Sequence, residues 1–209
     1  MPRIEFVHVV DLKNQHITVS RVIVFLVANV TLESLQTDVT ETTADAVVLV
    51  KVNGIRERSI YVNVSTYDVS ALAVLNDYEA KSELVTLQSN SFQLPFLVRI
   101  LDDNVVENTE EFGIRVTSSD PQVNVVNGNI LVSITDNDKI GLSIGQIVYR
   151  VKETDGSVSV EVVVTGETAV DIAGSMLRTV DETAKSPDDY TSVVQNLEIM
   201  LGENKKMLQ

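Results

Sequence analysis

Carboxylates are the residues of this 209-residue chain whose spacing suggests chemistry, and they gather in four short segments. The longest segment is "ILDDNVVENTEEF" (100–112), and "ITDND" (134–138) lies further along the chain. Because carboxylates this close together repel one another, a positive partner is expected among them. Ca²⁺ takes roughly six to eight oxygen ligands in flexible geometry. If the four segments meet, the predicted Ca²⁺ ligands are Glu41, Asp77, Asp102, Asp103, Glu107, Glu110, Asp136 and Asp138. A set of solvated acidic loops is the alternative.

Other site chemistries find little support in the residues. The chain has no cysteine, which removes disulfides, thiolate chemistry and the usual zinc sites. Its two histidines, His8 and His16, are not paired, and no nucleophile elbow or phosphate loop is present. Paired carboxylates can hydrolyse glycosides, but such sites need aromatic platforms and only Tyr78 lies near these segments. We therefore expect a binding protein and not an enzyme.

Composition narrows the class of partner. A net charge of −14 argues against a nucleic-acid surface, because phosphate contacts need clustered Lys and Arg, and it disfavours anionic membranes. No apolar run of about 20 residues, the length that spans a bilayer, occurs in the chain. The run "VIVFLVA" (22–28) is too short and is predicted to be a strand, so we expect no direct membrane insertion by this segment.

The chain repeats itself at an offset of 112 residues. "VTET" at 39 is followed by "VKET" at 151, and "NDY" at 76 by "DDY" at 188. We therefore predict one complete repeat over 28–139 and a shorter second repeat over 140–209. Residues 1–27 form a leader that resembles the degenerate end of a preceding repeat.

Valine-rich alternating segments predict the elements that hold these loops. Seven short strands in about 110 residues are typical of an all-β fold, an antiparallel β-sandwich of immunoglobulin-like shape. The predicted strands of the first repeat are 30–35, 46–52, 59–66, 84–88, 92–101, 111–117 and 128–135. Pro95 indicates an edge or a bulge in the fifth strand. Residues 188–209 read locally as helix, but the repeat predicts strand there.

Two sequons begin at Asn29 and Asn63, and both are predicted glycosylation sites. In "SIYVNVSTY" the alternation places Ile60, Val62 and Val64 on one face, so Asn63 lies on the other and is open to a glycan. The sequons favour an extracellular location or the ectodomain of a membrane protein.

These motifs together resemble the Calx-beta domain, which is found in Na⁺/Ca²⁺ exchangers and in extracellular adhesion proteins. That family carries a Glu ahead of the first long strand, a loop ending in "D-Y", an "I-x-D-D-x-x-x-E-x-x-E-x-F" linker and a terminal "D-x-D". Here the linker is "ILDDNVVENTEEF", the terminus is "ITDND", and the loops are "DVSALAVLNDY" (68–78) and "DETAKSPDDY" (181–190). The resemblance covers about 180 of 209 residues.

The resemblance places the family's Ca²⁺ ligands on the eight carboxylates named above. In the second repeat only Glu153 and Asp189 have counterparts, which implies a weaker and incomplete site. Asn104, Thr109 and Asn137 stand where the most acidic members carry Asp. Fewer charges imply weaker binding, so we expect one to three Ca²⁺ ions.

The resulting hypothesis is a Ca²⁺-binding tandem module of an extracellular or membrane-anchored protein of cell adhesion or cell communication. Ca²⁺ would rigidify the junction between neighbouring repeats, and other adhesion proteins or glycans are the expected partners. The alternatives are a cytoplasmic Ca²⁺ sensor in a transporter similar to Na⁺/Ca²⁺ exchangers, and a structural spacer that binds no ion.

Overall fold

The structure, a computed structural model, describes residues 27–54 and 56–209 in full, together with two backbone strands of the leader. These strands, β1 (Arg3–Val10) and β2 (Thr18–Phe25), pair antiparallel in a two-stranded sheet. The strand predicted over 22–28 is divided, because β2 ends at Phe25 and the next strand begins at Ala28. His16 lies outside the described residues, and the origin of the leader in an earlier repeat stays a prediction. No helix in the described part of the chain has the length and apolar character needed to cross a membrane.

The chain divides into two compact units. The elements that follow the leader, as far as the end of the first repeat, are β3 (Ala28–Ser34), β4 (Asp38–Thr40), β5 (Asp45–Asn53), β6 (Ile60–Asp68), a 3-10 turn (Ala73–Leu75), β7 (Ser82–Leu87), β8 (Gln93–Arg99), β9 (Val105–Val106), β10 (Glu110–Thr117), β11 (Val123–Asn127) and β12 (Asn129–Thr135). One sheet has the order β11-β3-β5-β8, and the other has the order β4-β12-β10-β6-β7. The predicted all-β sandwich is confirmed.

Alternation builds the core between these sheets. In β5, Ala46, Val48, Val50 and Val52 are all fully buried, while the residues between them are half-buried. The same period buries alternate residues of β6, β8 and β12, and together they form one hydrophobic cluster. Each fully buried valine stabilises the fold by about 1.5–3 kcal/mol relative to an exposed one. The core thus fixes the register of every long strand, and with it the position of the loops.

All seven predicted strands of this repeat are present, as β3, β5, β6, β7, β8, β10 and β12. Pro95 lies in β8, which is an edge strand, as its missing N–H predicted. The prediction omitted β4, β9 and β11, which have only two to five residues each. The strands β4 and β11 pair parallel with strands distant in sequence, so no hairpin pattern in the sequence indicates them.

The second repeat contains β13 (Gly141–Ile144), a 3-10 turn (Glu153–Asp155), β14 (Val160–Thr165), β15 (Glu167–Thr168), β16 (Ile172–Arg178), β17 (Val194–Ile199) and β18 (Lys205–Leu208). Its sheets are β13-β14-β18 and β16-β17, and β15 pairs parallel with β9 within the same compact unit. Val162, Leu197 and Leu208 form a small core, against which Leu177 packs. Residues 188–209 contain two strands and no helix, so the prediction from the repeat is confirmed.

Pairs of residues that face each other in the first repeat have counterparts 112 residues later in the second. Val48 pairs with Phe96 in β5 and β8, and Val160 pairs with Leu208 in β14 and β18. The β16–β17 pair follows β6–β7 but contains one extra residue, because its register shifts between Ile172 and Ser175. Gly174 lies in this bulge with a φ of +94°, a conformation that glycine adopts without steric cost.

Candidate metal centre

Glu41 owes its position to the short strand β4. This strand runs parallel to β12 and ends level with it, since Thr40 pairs with Thr135. The Glu41 N–H donates to the Thr135 carbonyl at 3.3 Å, so Glu41 emerges beside the start of the terminal acidic motif. Its side chain is only 6% exposed.

Asp77 lies at the end of the loop that joins β6 to β7. The Leu72 N–H donates to the Asp77 carboxylate at 2.6 Å and closes the loop. The Leu101 N–H donates to the Asp77 carbonyl at 3.2 Å, and Tyr78 forms an isolated bridge with Ile100. Asp77, which is 8% exposed, is therefore held beside the beginning of the long acidic linker.

Asp68 and Tyr78 brace this loop, and Asp68 is not among the residues predicted for the site. The Tyr78 hydroxyl and the Ala73 N–H, the latter at 3.1 Å, both donate to Asp68. The Tyr78 hydrogen bond, followed by that of Ala73, lowers the pKa of Asp68, while burial and then the Asp68 contact raise the pKa of Tyr78. The Tyr78 ring stacks on Phe112 with centroids 4.4 Å apart. The loop is thus fixed to the core independently of any ion.

Backbone hydrogen bonds shape the linker and the terminal motif. The Val105 N–H donates to Asp103 at 2.7 Å and turns the chain into β9. The Asp136 carboxylate accepts from the Glu107 N–H at 3.2 Å and from the Asp138 N–H at 2.9 Å. Asp136 therefore joins the two acidic segments, which are almost 30 residues apart in sequence.

The predicted ligands collect into two groups of three. Within each group, one carboxylate oxygen from each residue lies within 4.8 Å of the others. The groups are Glu41, Asp136 and Asp138, and Asp77, Glu107 and Glu110. The first group combines one buried carboxylate with two half-buried ones, and the second consists of half-buried carboxylates, although Asp77 as a whole residue is only 8% exposed. Six of the eight predicted residues are thus brought together.

Asp102 and Asp103 do not join either group, and both are exposed. The Asp103 carboxylate instead accepts the Val105 N–H. Their role as ligands stays a prediction.

The donor set fits a hard cation. Three carboxylates at such distances repel one another strongly, and the repulsion grows where they are partly removed from water. All six donors are oxygens, which Ca²⁺ prefers, and the groups contain no His to favour a softer metal. A bound divalent cation would offset this repulsion, which otherwise destabilises the folded state.

The second repeat keeps the braced loop. The Tyr190 hydroxyl donates to the Asp181 carboxylate at 2.6 Å, and the Ser186 N–H donates to the same carboxylate at 3.2 Å. Tyr78 and Ala73 donate to Asp68 in the same way in the first repeat. The Lys185 N–H donates to Asp189 at 2.8 Å, as Leu72 does to Asp77. An Asp nine or ten residues before a Tyr is therefore the sequence signal for this brace.

Glu153 lies in an exposed 3-10 turn, and among the described residues neither it nor Asp189 belongs to a group of three potential ligands. The weaker second site therefore stays a prediction.

Comparisons with known proteins establish the family of the chain. The family model of the Calx-beta domain matches residues 27–138 and 135–209. The apo-form Calx CBD1 domain matches with a TM-score of 0.51 and 25% identity, over 54% of this chain and 99% of that one. The CBD12 structure from CALX1.2 matches with a TM-score of 0.50 and 22% identity, over 86% of this chain and 73% of that one. No curated protein matches the sequence. The resemblance found in the motifs is confirmed, and the chain belongs to the Calx-beta family.

Proposed function

We propose that this chain is a Ca²⁺-binding module whose ions occupy the two carboxylate groups of the first repeat. The observation that carries the proposal is that six carboxylates from four separate segments form two groups, with donor atoms within 4.8 Å in each. Mg²⁺ is a poorer fit, because it keeps more of its water and uses fewer protein ligands. The module acts by binding, and the proposal includes no catalytic step.

The proposed consequence of Ca²⁺ binding is a stiffer junction between repeats. Asp136 and Asp138 lie directly before β13, with only Lys139 and Ile140 between them and the strand. Glu107 adjoins β9, which pairs with β15 of the second repeat, and the Ala169 N–H donates to the Val106 carbonyl at 2.9 Å. Ligands in these two segments would restrict the backbone on either side of the junction.

A Ca²⁺ titration of thermal unfolding tests the proposal. A ligand that binds only the folded state at 100 times its Kd stabilises that state by about 2.7 kcal/mol. We expect millimolar Ca²⁺ to raise the Tm of the first repeat, and Asp77→Asn to reduce this shift strongly. The control is Asp189→Asn, which removes a charge from the same kind of loop in the second repeat. An unchanged Tm at millimolar Ca²⁺, or equal effects of the two variants, would contradict the proposal.

We place the module outside the cell, in an adhesion or cell-communication protein. Asn29 and Asn63 are both exposed, and Asn63 lies on the outer face of β6 as its alternation predicted. Asn124 donates to the Asn29 side-chain oxygen at 3.0 Å, which leaves the Asn29 nitrogen as the site of glycan attachment. The test is to express the chain and its Asn63→Gln variant through a secretory pathway and to digest both with a glycosidase. The loss of mass on digestion shows whether Asn29 and Asn63 carry glycans. Further repeats, adhesion proteins and glycans are the proposed partners.

A second candidate is the regulatory Ca²⁺ sensor of a transporter, which membership of the Calx-beta family favours because the motifs of that family also occur in Na⁺/Ca²⁺ exchangers. Affinity separates the two functions, because cytosolic sensors bind Ca²⁺ at about 10⁻⁷–10⁻⁵ M and extracellular modules at about 10⁻⁴–10⁻³ M. Asn104 and Asn137 reduce the negative charge near the groups and favour the weaker range. Absence of calorimetric Ca²⁺ binding would leave an ion-free spacer.

A further inference from the structure

The outer face of β6 around Asn63 carries two exposed apolar side chains. Tyr61 lies two residues before Asn63, and because the side chains of a strand alternate between its faces, both point outward. Leu84 of the neighbouring strand β7 lies directly opposite Asn63 in the pairing. Tyr61 is 52% exposed and Leu84 is 66% exposed. A sequon asparagine therefore lies beside an aromatic ring and an aliphatic side chain that are both open to solvent.

The register places these three residues within reach of one another. Asn63 and Leu84 form a directly opposite pair, and the Cβ atoms of such a pair lie about 4.5–5.5 Å apart. Tyr61 lies opposite Thr86, so it is the diagonal neighbour of Leu84, at a separation that an aromatic side chain can span. On the other side Asn63 lies opposite Thr117 of β10. The apolar surface therefore extends from Asn63 along β6 and across to β7.

The second repeat lacks both parts of this arrangement. Through the shared register, Met176 takes the place of Asn63 and Asn196 takes the place of Leu84. The position of Tyr61 falls in the bulge at Gly174, where no aromatic residue stands. The apolar pair and the sequon thus occur together in one repeat and are absent together from the other. This supports a role of the pair toward the asparagine.

We propose that the first sugar of a glycan on Asn63 packs against Tyr61 and Leu84 and covers this face of β6. The inference rests on the proposed modification of Asn63 and adds a structural role to it. One face of an N-acetylglucosamine ring presents mainly C–H groups, which pack on the face of an aromatic ring. Apolar surface of Tyr61 and Leu84 that the sugar removes from water stabilises the folded state in proportion to its area.

The other sequon has different neighbours and provides a control in the same chain. Asn29 lies opposite Asn53 of β5 and opposite Asn124 of β11, so both of its cross-strand neighbours are polar. The residue two positions before it is Val27, which stands ahead of β3 and has no aromatic ring. We therefore expect a sugar on Asn29 to leave the stability of the fold unchanged.

Chemical attachment of a single sugar tests the packing separately from the modification. Because the chain has no cysteine, Asn63→Cys introduces a unique thiol. Its thiolate displaces iodide from an iodoacetamide that carries N-acetylglucosamine on the amide nitrogen, and a thioether forms. Alkylation with plain iodoacetamide gives the matched chain without the sugar. We expect the sugar to raise the Tm of the first repeat by about 2–4 °C relative to this reference.

Tyr61→Thr and Leu84→Thr assign the gain to the proposed contacts. Threonine keeps the preference for a strand but removes most of the apolar surface, so the increment that the sugar adds should fall by roughly half or more in either background. The ring current of Tyr61 should also shift proton resonances of the sugar upfield in NMR spectra, and Tyr61→Thr should abolish that shift. The matched control is Asn29→Cys, at which the sugar should leave the Tm unchanged.

Two kinds of failure are distinguishable. Equal Tm values for the sugar-bearing and the plain alkylated chain, or equal gains at Asn29 and Asn63, would overturn the packing. A secreted chain without a glycan on Asn63 would instead contradict the proposed modification, and glycosidase digestion measures that outcome separately.

Discussion

Asp136 is the side chain on which the linker and the terminal motif both depend. One of its oxygens accepts the Glu107 N–H and the other accepts the Asp138 N–H, and the same carboxylate belongs to a proposed ion site. Hydrogen bonds from backbone N–H groups to a carboxylate are about twice as strong as those to a neutral acceptor. Asp136 therefore orders the backbone at other proposed ligands in addition to being a proposed ligand itself.

The change Asp136→Asn tests this double role. The amide keeps one acceptor oxygen and loses the charge, so we expect Ca²⁺ affinity to fall by about tenfold or more. Amide exchange at Glu107 should also become faster in EDTA, which loss of a ligand alone would not cause. Calorimetry and hydrogen exchange measure the two effects. The matched control, Asp103→Asn, changes a residue outside both groups and should leave the Glu107 amide unaffected.

Residue types revealed the chemistry of the site, but not its division into groups. The clustering of Asp and Glu at strand ends was visible in the sequence and predicted six residues that the structure brings together. Which carboxylates share a group depends on the direction of each side chain, and backbone alternation does not define that in a loop. Asp103 illustrates the limit, because its carboxylate accepts a hydrogen bond from a neighbouring backbone N–H.

Among the strands, β4 positions a proposed Ca²⁺ ligand although it has only three residues. Its three residues bring Glu41 level with the end of β12, and Val39, at their centre, is 3% exposed and belongs to the core. The anchoring of Glu41, a proposed Ca²⁺ ligand, thus depends on one buried valine.

The change Val39→Ala should therefore weaken both stability and ion binding. Loss of two buried methyl groups is expected to cost about 1–3 kcal/mol. Looser attachment of β4 should also lower Ca²⁺ affinity, although Glu41 is unchanged. Chemical denaturation and calorimetry measure the two quantities. Val126→Ala, at a position 55% exposed on β11, is the control, and an equal effect of the two substitutions would count against this role of β4.

Long strands could be predicted and short ones could not, for a physical reason. A strand of six or more residues shows its buried face as a period of two, and the repeat supplies a second sample of the same pattern. "DVT" in β4 and "VV" in β9 contain too few residues to show a period. Their position follows from pairing with distant strands, which local sequence does not encode.

At the scale of the whole molecule, the net charge of −14 affects ion binding over longer distances. An acidic protein attracts cations beyond its direct ligands, and salt screens this attraction with a Debye length of about 8 Å at physiological ionic strength. We therefore expect part of the proposed Ca²⁺ affinity to come from charges outside the two groups.

We expect Ca²⁺ affinity to weaken severalfold between low and high KCl concentrations. In EDTA the same increase in KCl should raise the Tm, because screening reduces the repulsion among the carboxylates. Calorimetry and thermal unfolding over a KCl series measure these trends. An affinity independent of KCl would mean that only the direct ligands matter.

The hydrogen-bonded loops of the two repeats have a consequence for the thermodynamics of binding. Asp68 with Tyr78 and Asp181 with Tyr190 shape the loop in the same way, by hydrogen bonds within the chain. The first loop therefore holds Asp77 in place without an ion. A proposed ligand that is ordered in advance loses less conformational entropy when a cation binds, so the loop favours affinity without adding a contact.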